Sequence, residues 1–145
     1  MSAGSPFLPK PKMTFGKMPE VDPHGLKPSD PGAKLDAAKI RAGLVGMGFA
    51  RALEQVAHVG TFGANKYSDN GWVSVPNAIP RYTDALWRHL LAEGRGETVD
   101  ADSKLLHAAH LAWNALARLD LMLRDLEKER LGLDVHHVAT EGETD

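Results

Sequence analysis

Apolar residues recur at helical spacing through most of the chain from Lys34 onward. Phe49, Ala52, Leu53, Val56 and Val59 follow i, i+3, i+4, i+7 and predict an amphipathic helix from about Gly48 to Val59. A short helix is expected before it, around Asp36 to Ala42, with Gly43, Gly46 and Gly48 breaking the two apart. A helix starting near Asn77 or Ala78 sets Ile79, Tyr82, Leu86 and Leu90 on one side, widened by Trp87 and Leu91. The longest periodic stretch runs from Ser103 to Glu129, with Leu105, Ala109, Ala112, Leu116, Leu119 and Leu123 expected as its buried stripe. No β-strand alternation competes, so the fold class is all-α: a small helical bundle of residues 34–130.

Two stretches lack this periodicity. Residues 1–33 hold most of the nine prolines among Lys, Gly and Ser, which predicts a flexible, disordered Pro-rich N-terminal arm. The stretch GTFGANKYSDNGWVSVPNAIP reads as a long Gly and aromatic loop, and loops of that length in small domains tend to carry function. The acidic tail, 131–145, is expected to fray, and its His136–His137 pair is at most an adventitious metal binder.

Chemistry concentrates between Tyr82 and Asn114. His107, His110 and Asn114 fall at i, i+3, i+7, so they share one narrow stripe, nearly opposite the leucines. Flanking Leu106, Leu111, Trp113 and Leu121 imply that this side is covered too, and a buried polar group without a partner costs about 1–3 kcal/mol. The three must therefore be paired, wet in a cleft, or ligand-bound. The preceding helix carries Asp84, Arg88 and His89, and a short link would bring it antiparallel to the next. Between them the loop EGRGETVDAD packs Glu93, Glu97, Asp100 and Asp102, carboxylates suited to a divalent cation or, for Asp102 and Ser103, to a helix cap. In the glycine-rich loop Lys66 supplies a cation for phosphate. Tyr67 and Trp72 supply flat faces for a base, and Gly60 and Gly63 would let backbone amides approach a ligand. Glu54 lies beside its helix's apolar stripe, where a solvated glutamate is the simpler reading.

A formal charge of −2 gives no reason to expect DNA or RNA as partner, and no run of about 18 apolar residues suggests a membrane span. The absence of cysteine removes disulfides and thiolate metal sites, leaving His, Asp, Glu and Asn as ligands. With no signal peptide either, a cytoplasmic location is expected. A groove built from so few helices invites a second copy of the chain to close it, so a homo-oligomer stays open.

The segments TFGANKYSDNGW, RYTDALWRHL, GETVDADS and HAAHLAWNAL, in that order, resemble a family of small, largely phage-encoded proteins described as dATP/dGTP diphosphohydrolase N-terminal domains. The resemblance covers about Lys34 to Asp120. It implies hydrolysis of a purine deoxynucleoside triphosphate to monophosphate and pyrophosphate with Mg²⁺ or Mn²⁺, in the host cytoplasm if phage-encoded. The matching motif positions are Glu54, Lys66, Tyr67, Trp72, Asp84, Arg88, His89, Glu97, Asp100, His107, His110 and Asn114.

On this resemblance Glu54, Asp84, Glu97 and Asp100 would hold the metal, and His107, His110, Asn114, His89 and Arg88 would form the catalytic set. Lys66, Tyr67 and Trp72 would bind substrate. Spacing leaves open whether His107 and His110 ligate metal, donate hydrogen bonds or act as acid and base. Two places depart from the family pattern. The Asn-Trp pair is interrupted as Asn70-Gly71-Trp72, and Glu-Ser-Gly is replaced by Asp102-Ser103-Lys104. Two other readings remain. A histidine/aspartate metal phosphohydrolase would need the adjacent His-Asp dipeptide that this sequence lacks. A non-catalytic helical nucleotide- or protein-binding phage accessory module fits the absence of a Glu-x-x-Glu helix of the MazG-like kind.

Overall fold

The computed structural model describes residues 20–132. Its helices are α1 (Gly43–Gly46), α2 (Ala50–Lys66), α3 (Ala78–Gly94) and α4 (His107–Arg130), with a single 3-10 turn at Gly71–Ser74. The only β-pairing among the described residues is one isolated bridge, Val99 to Leu106. The all-α expectation holds.

The chain divides into two compact units, at Gly43 and Leu44. Within the first, residues 20–42 form successive turns instead of the short helix expected at 36–42. A buried carboxylate ties them together. Asp22 accepts the backbone N–H groups of His24 (2.8 Å), Leu26 (3.3 Å) and Lys34 (2.8 Å), and Ala37 N–H bonds to the Val21 carbonyl (3.0 Å). The bonds from Lys34 above all, opposed by burial, hold the Asp22 carboxyl below its ordinary range. The part of the proline-rich segment that is described is therefore held by side-chain-to-backbone bonds. The remainder of the expected arm, residues 1–19, lies outside the described residues, as does most of the expected tail.

In the second unit, α3 packs chiefly on α4, and α2 also rests on α4. His89, near the end of α3, meets His107 and His110 at the start of α4. Ile79, at the start of α3, shares a groove with Leu121 and Lys128 farther along α4. The two helices therefore run antiparallel. Asn77, left-handed at φ 52°, turns the chain into α3, and Pro80 sits in the first turn, where its missing N–H costs nothing.

The irregular loop predicted over residues 60–80 begins later, because α2 continues through Gly60 and Gly63 to Lys66. Gly60 is there for packing: a Cβ at that position would stand 2.5 Å from Cζ3 of Trp113 on α4. The buried positions of α4 are His107, Ala109, His110, Asn114, Ala117 and Leu121. Leu116, Leu119 and Leu123, expected inside, are about half exposed. The polar stripe faces the bundle and most of the leucine stripe faces out. Small Ala109 and Ala117 let α4 approach its neighbours closely, and the histidines find polar partners there.

α4 also begins at His107 and not at Ser103. Asp100 organises the turn before it, accepting the N–H of Ser103 (2.8 Å) and of Asp102 (3.2 Å) on Oδ2. Lys104 then takes a left-handed φ of 60°, and Leu106 is extended. At the far end Leu131 caps the helix and Gly132, at φ 68°, leaves it in the left-handed conformation that glycine tolerates.

Candidate active site

Three imidazoles meet where α3 ends and α4 starts. His89 Nδ1 lies 2.8 Å from His107 Nδ1, and the His89 ring stacks on His110 with centroids 4.4 Å apart and planes 9° apart. His107 and His110 are buried; His89 is half-buried. On the other side of His110, its Nε2 is 2.7 Å from Ser103 Oγ, which in turn donates to Asp100 Oδ2 at 3.0 Å. Asp100, Ser103 and His110 thus form one hydrogen-bonded chain with the hydroxyl in the middle. That order differs from a nucleophile triad, in which the imidazole stands between serine and carboxylate.

The loop that presents Asp100 is braced at both ends. His107 N–H bonds to the Thr98 carbonyl (3.1 Å), Asp100 N–H to the Leu105 carbonyl (2.8 Å), and Lys104 N–H to the Asp100 carbonyl (2.9 Å). His89, Asp100 and His107 each offer a ligand atom, all within 4.8 Å of one another. His107 Nε2 is buried and has no hydrogen-bond partner; Glu97 Oε2 lies 3.9 Å away. Glu97 itself is exposed and paired to Arg95 at 2.8 Å.

The electrostatics favour the neutral form of His89 and His110 beside an ionised Asp100. Burial pushes the His89 pKa down, and the nearby His110, His107 and Arg88 charges add to this against the pull of Asp100. Burial lowers His110 as well, with Asp100 opposing. For Asp100 burial acts upward, but the backbone and hydroxyl bonds from Ser103, with His110 and His89 close by, bring it below its ordinary range. At the rim, Lys66 at the end of α2 binds Asp102 at 2.6 Å, and that hydrogen bond raises the lysine pKa.

The family model described as dATP/dGTP diphosphohydrolase, N-terminal, matches residues 29–130, most of the chain. The chain belongs to this family. Neither a curated protein nor a solved structure matches it.

The positions that carry the resemblance fall mostly in two places on the structure. His89, Asp100, His107 and His110 form the cluster, with Glu97 and Lys66 at its edge. Asn114, one turn further along α4, is buried and donates from Nδ2 to the His110 carbonyl at 2.7 Å. Asp84 and Arg88 instead line a groove of about 530 Å³ with Tyr67, Trp72, Arg81 and Tyr82, and the histidines are not among its walls. In that groove Tyr67 is 79% exposed. Trp72 is half-buried, edge-on to Trp113 at 6.3 Å, with the Arg124 guanidinium 5.8 Å from its ring. Glu54 joins neither place. It is exposed in the first half of α2, roughly 18 Å along the helix from Lys66 at 1.5 Å per residue.

One member of the cluster was not singled out from sequence. Ser103 read only as a possible helix cap, yet its hydroxyl joins Asp100 to His110. The available signal was its place three residues after an aspartate that starts a turn.

Proposed function

We propose that this protein is a metal-dependent hydrolase that cleaves a purine deoxynucleoside triphosphate, dATP or dGTP, to the monophosphate and pyrophosphate. The observation carrying the reading is the convergence of His89, Asp100, His107 and His110 at one joint of a chain that belongs to the diphosphohydrolase family. An aspartate beside two imidazoles, one of which (His89) burial holds below its ordinary pKa, is a donor set that fits a divalent cation. The orphaned Nε2 of buried His107 further suits an imidazole whose other nitrogen is engaged. His89, Asp100 and His107 would hold the ion, with Glu97 next to them. When bound, a cation supplies Lewis-acid polarisation of a phosphoryl oxygen and a lowered pKa for an attacking water.

The chain's own groups would do the rest. Ser103 sits between His110 Nε2 and Asp100 Oδ2, so a proton can be held or passed along that line. Lys66, exposed at the rim, and Arg88, on the next groove, would neutralise leaving-group charge. The groove lined by Tyr67 and Trp72 is large enough for a nucleoside, with Tyr67 the freer aromatic face.

Incubation with dATP, dGTP, dCTP and dTTP, each with Mg²⁺ or Mn²⁺, tests this by assay of pyrophosphate. Pyrophosphate from the purine substrates is expected, with a loss of about 10²-fold or more in His110→Ala. Release of inorganic triphosphate would instead mean cleavage at the sugar–phosphate bond. Thermal stabilisation by nucleotide without turnover would make the protein a binding module.

A further inference from the structure

We infer that His89, Asp100 and His107 form a site selective for a nitrogen-preferring transition-metal ion, Zn²⁺ or Co²⁺ before Mn²⁺, and not for Mg²⁺. The inference concerns the site of the proposed hydrolysis and depends on that reading only for what the ion is used for.

His107 Nε2 has no hydrogen-bond partner, and the Glu97 carboxylate lies 3.9 Å from it. A bare lone pair at Nε2 would face that carboxylate unfavourably, whereas an N–H there is attracted to it. His107 is therefore best placed as the Nε2–H tautomer, which leaves a lone pair on Nδ1. This lone pair is directed at His89 Nδ1, 2.8 Å away. Either His89 donates a proton to it, or the two nitrogens share a cation. Two nitrogens bound to one ion at 2.0–2.1 Å stand roughly 2.9–3.4 Å apart, only a few tenths of an ångström beyond the spacing present.

The third donor is in reach and available. Asp100 lies within the same 4.8 Å group, and Ser103 and Asp102 occupy only its Oδ2, so Oδ1 is the oxygen left to coordinate. His110 is excluded as a ligand through Nε2, which Ser103 engages; it supports the site by stacking on His89. Glu97, at 3.9 Å, is beyond hydrogen-bond distance but stands where a carboxylate could attract the second N–H of a metal-bound histidine.

Two imidazoles and one carboxylate are a poor match for Mg²⁺, a hard ion that seeks an octahedron of oxygens and gives up its water reluctantly. Imidazole favours later transition metals, with affinity rising from Mn²⁺ through Co²⁺, and three protein ligands leave positions for water or substrate. The family resemblance names Mg²⁺ or Mn²⁺; this donor set fits the second better than the first and Zn²⁺ or Co²⁺ better than both.

The test uses the full chain, stripped with EDTA and dialysed, titrated with each metal chloride by calorimetry without nucleotide. One equivalent of Zn²⁺ or Co²⁺ is expected to bind, Mn²⁺ more weakly, and Mg²⁺ at least about 100-fold more weakly than Zn²⁺. Bound Co²⁺ should give visible absorption characteristic of nitrogen ligation. His89→Gln should lose about 100-fold or more in Zn²⁺ affinity, and Glu97→Gln, at an exposed position, about 10-fold. Should His89→Gln fail to fold, Glu97→Gln and the Co²⁺ spectrum of the unaltered protein decide. The double variant His136→Ala, His137→Ala should bind as before. Equal affinity for Mg²⁺ and Zn²⁺ overturns the inference, as does binding that survives in His89→Gln or disappears in the 136/137 variant. Tight Zn²⁺ binding without pyrophosphate release would sink the hydrolase reading and leave the metal site standing, and the reverse result would do the opposite.

Discussion

Lys104 shows how a departure from a family pattern is accommodated by a single residue. Where the resembled motif would carry glycine, this chain places lysine at φ 60°, and a left-handed conformation costs an ordinary L-residue about 1–2 kcal/mol. Its N–H still closes the turn on the Asp100 carbonyl, so the backbone shape is kept despite the unfavourable side chain. Lys104→Gly should stabilise the protein by about 0.5–1 kcal/mol in urea denaturation, after glycine's greater unfolded-state freedom is counted. It should also leave pyrophosphate release unchanged. The imidazoles make a second prediction at this scale. His89 and His110 are held below the ordinary imidazole range, so between their folded values and about pH 6.5 the unfolded chain binds more protons than the folded one. His107, Asp100 and Arg88 face or border the pair, and of these Asp100 alone opposes the shift of His89. Stability of the EDTA-treated protein should therefore fall as pH drops from 7.5 to 5.5. Asp100, itself held low, adds a further loss only below about pH 4. Thermal melts should show a smaller drop over 7.5 to 5.5 in His110→Gln than in the unaltered protein; equal drops would contradict the assignment.

Among the elements, α1 was not foreseen because its glycines read as a break, α2 was legible only in its first half, and α4 was the most legible, in extent if not in orientation. Val56 and Val59 announced the first half of α2, but Gly60 and Gly63 read as breakers, because helix propensity carries no information about what stands opposite. Here the Trp113 ring stands opposite, and only a residue without Cβ lets α2 and α4 meet. The two glycines of one helix should thus respond oppositely to the same substitution. Gly60→Ala forces the indole to move and should destabilise by about 1–3 kcal/mol. Gly63→Ala meets nothing within 4 Å and should stabilise by up to about 1 kcal/mol through propensity alone. Chemical denaturation of both variants checks this, and a shared sign would mean that Gly60 does not pack as described. The candidate site was legible for a related reason. His107, His110 and Asn114 at i, i+3, i+7 lie on one helix face whatever surrounds it, and the short link fixed His89 as their neighbour. Asp84 and Arg88 share α3 with His89 but point into another groove, and the reach of Asp100 depended on a turn whose bonds no periodicity encodes.

For the whole molecule the lesson lies in which side of α4 is inside. Sequence periodicity found both stripes and assigned the core to the leucines, since burying leucine is the larger hydrophobic gain. The fold does otherwise: Leu119 is 54% exposed while Leu121 is 8% exposed, and His107, at 4%, lies deeper than either. Polar side chains inside are tolerable because each makes at least one hydrogen bond: His107 through Nδ1 with His89, His110 with Ser103, Asn114 with its own helix. The apolar core is correspondingly slight, limited among the described residues to Val56, Val59, Ala92, Ala109, Ala117 and Leu121. In so small a core one leucine matters. Leu121→Ala removes a side chain that is only 8% exposed and should cost about 2–3 kcal/mol. Leu119→Ala, two residues earlier and chemically identical, should cost less than about 1 kcal/mol, because its side chain already meets solvent over half its surface. Urea denaturation of the two variants at one protein concentration separates the arrangements: if Leu119→Ala proves the costlier, the leucine stripe is the buried one and the histidine cluster is turned towards solvent.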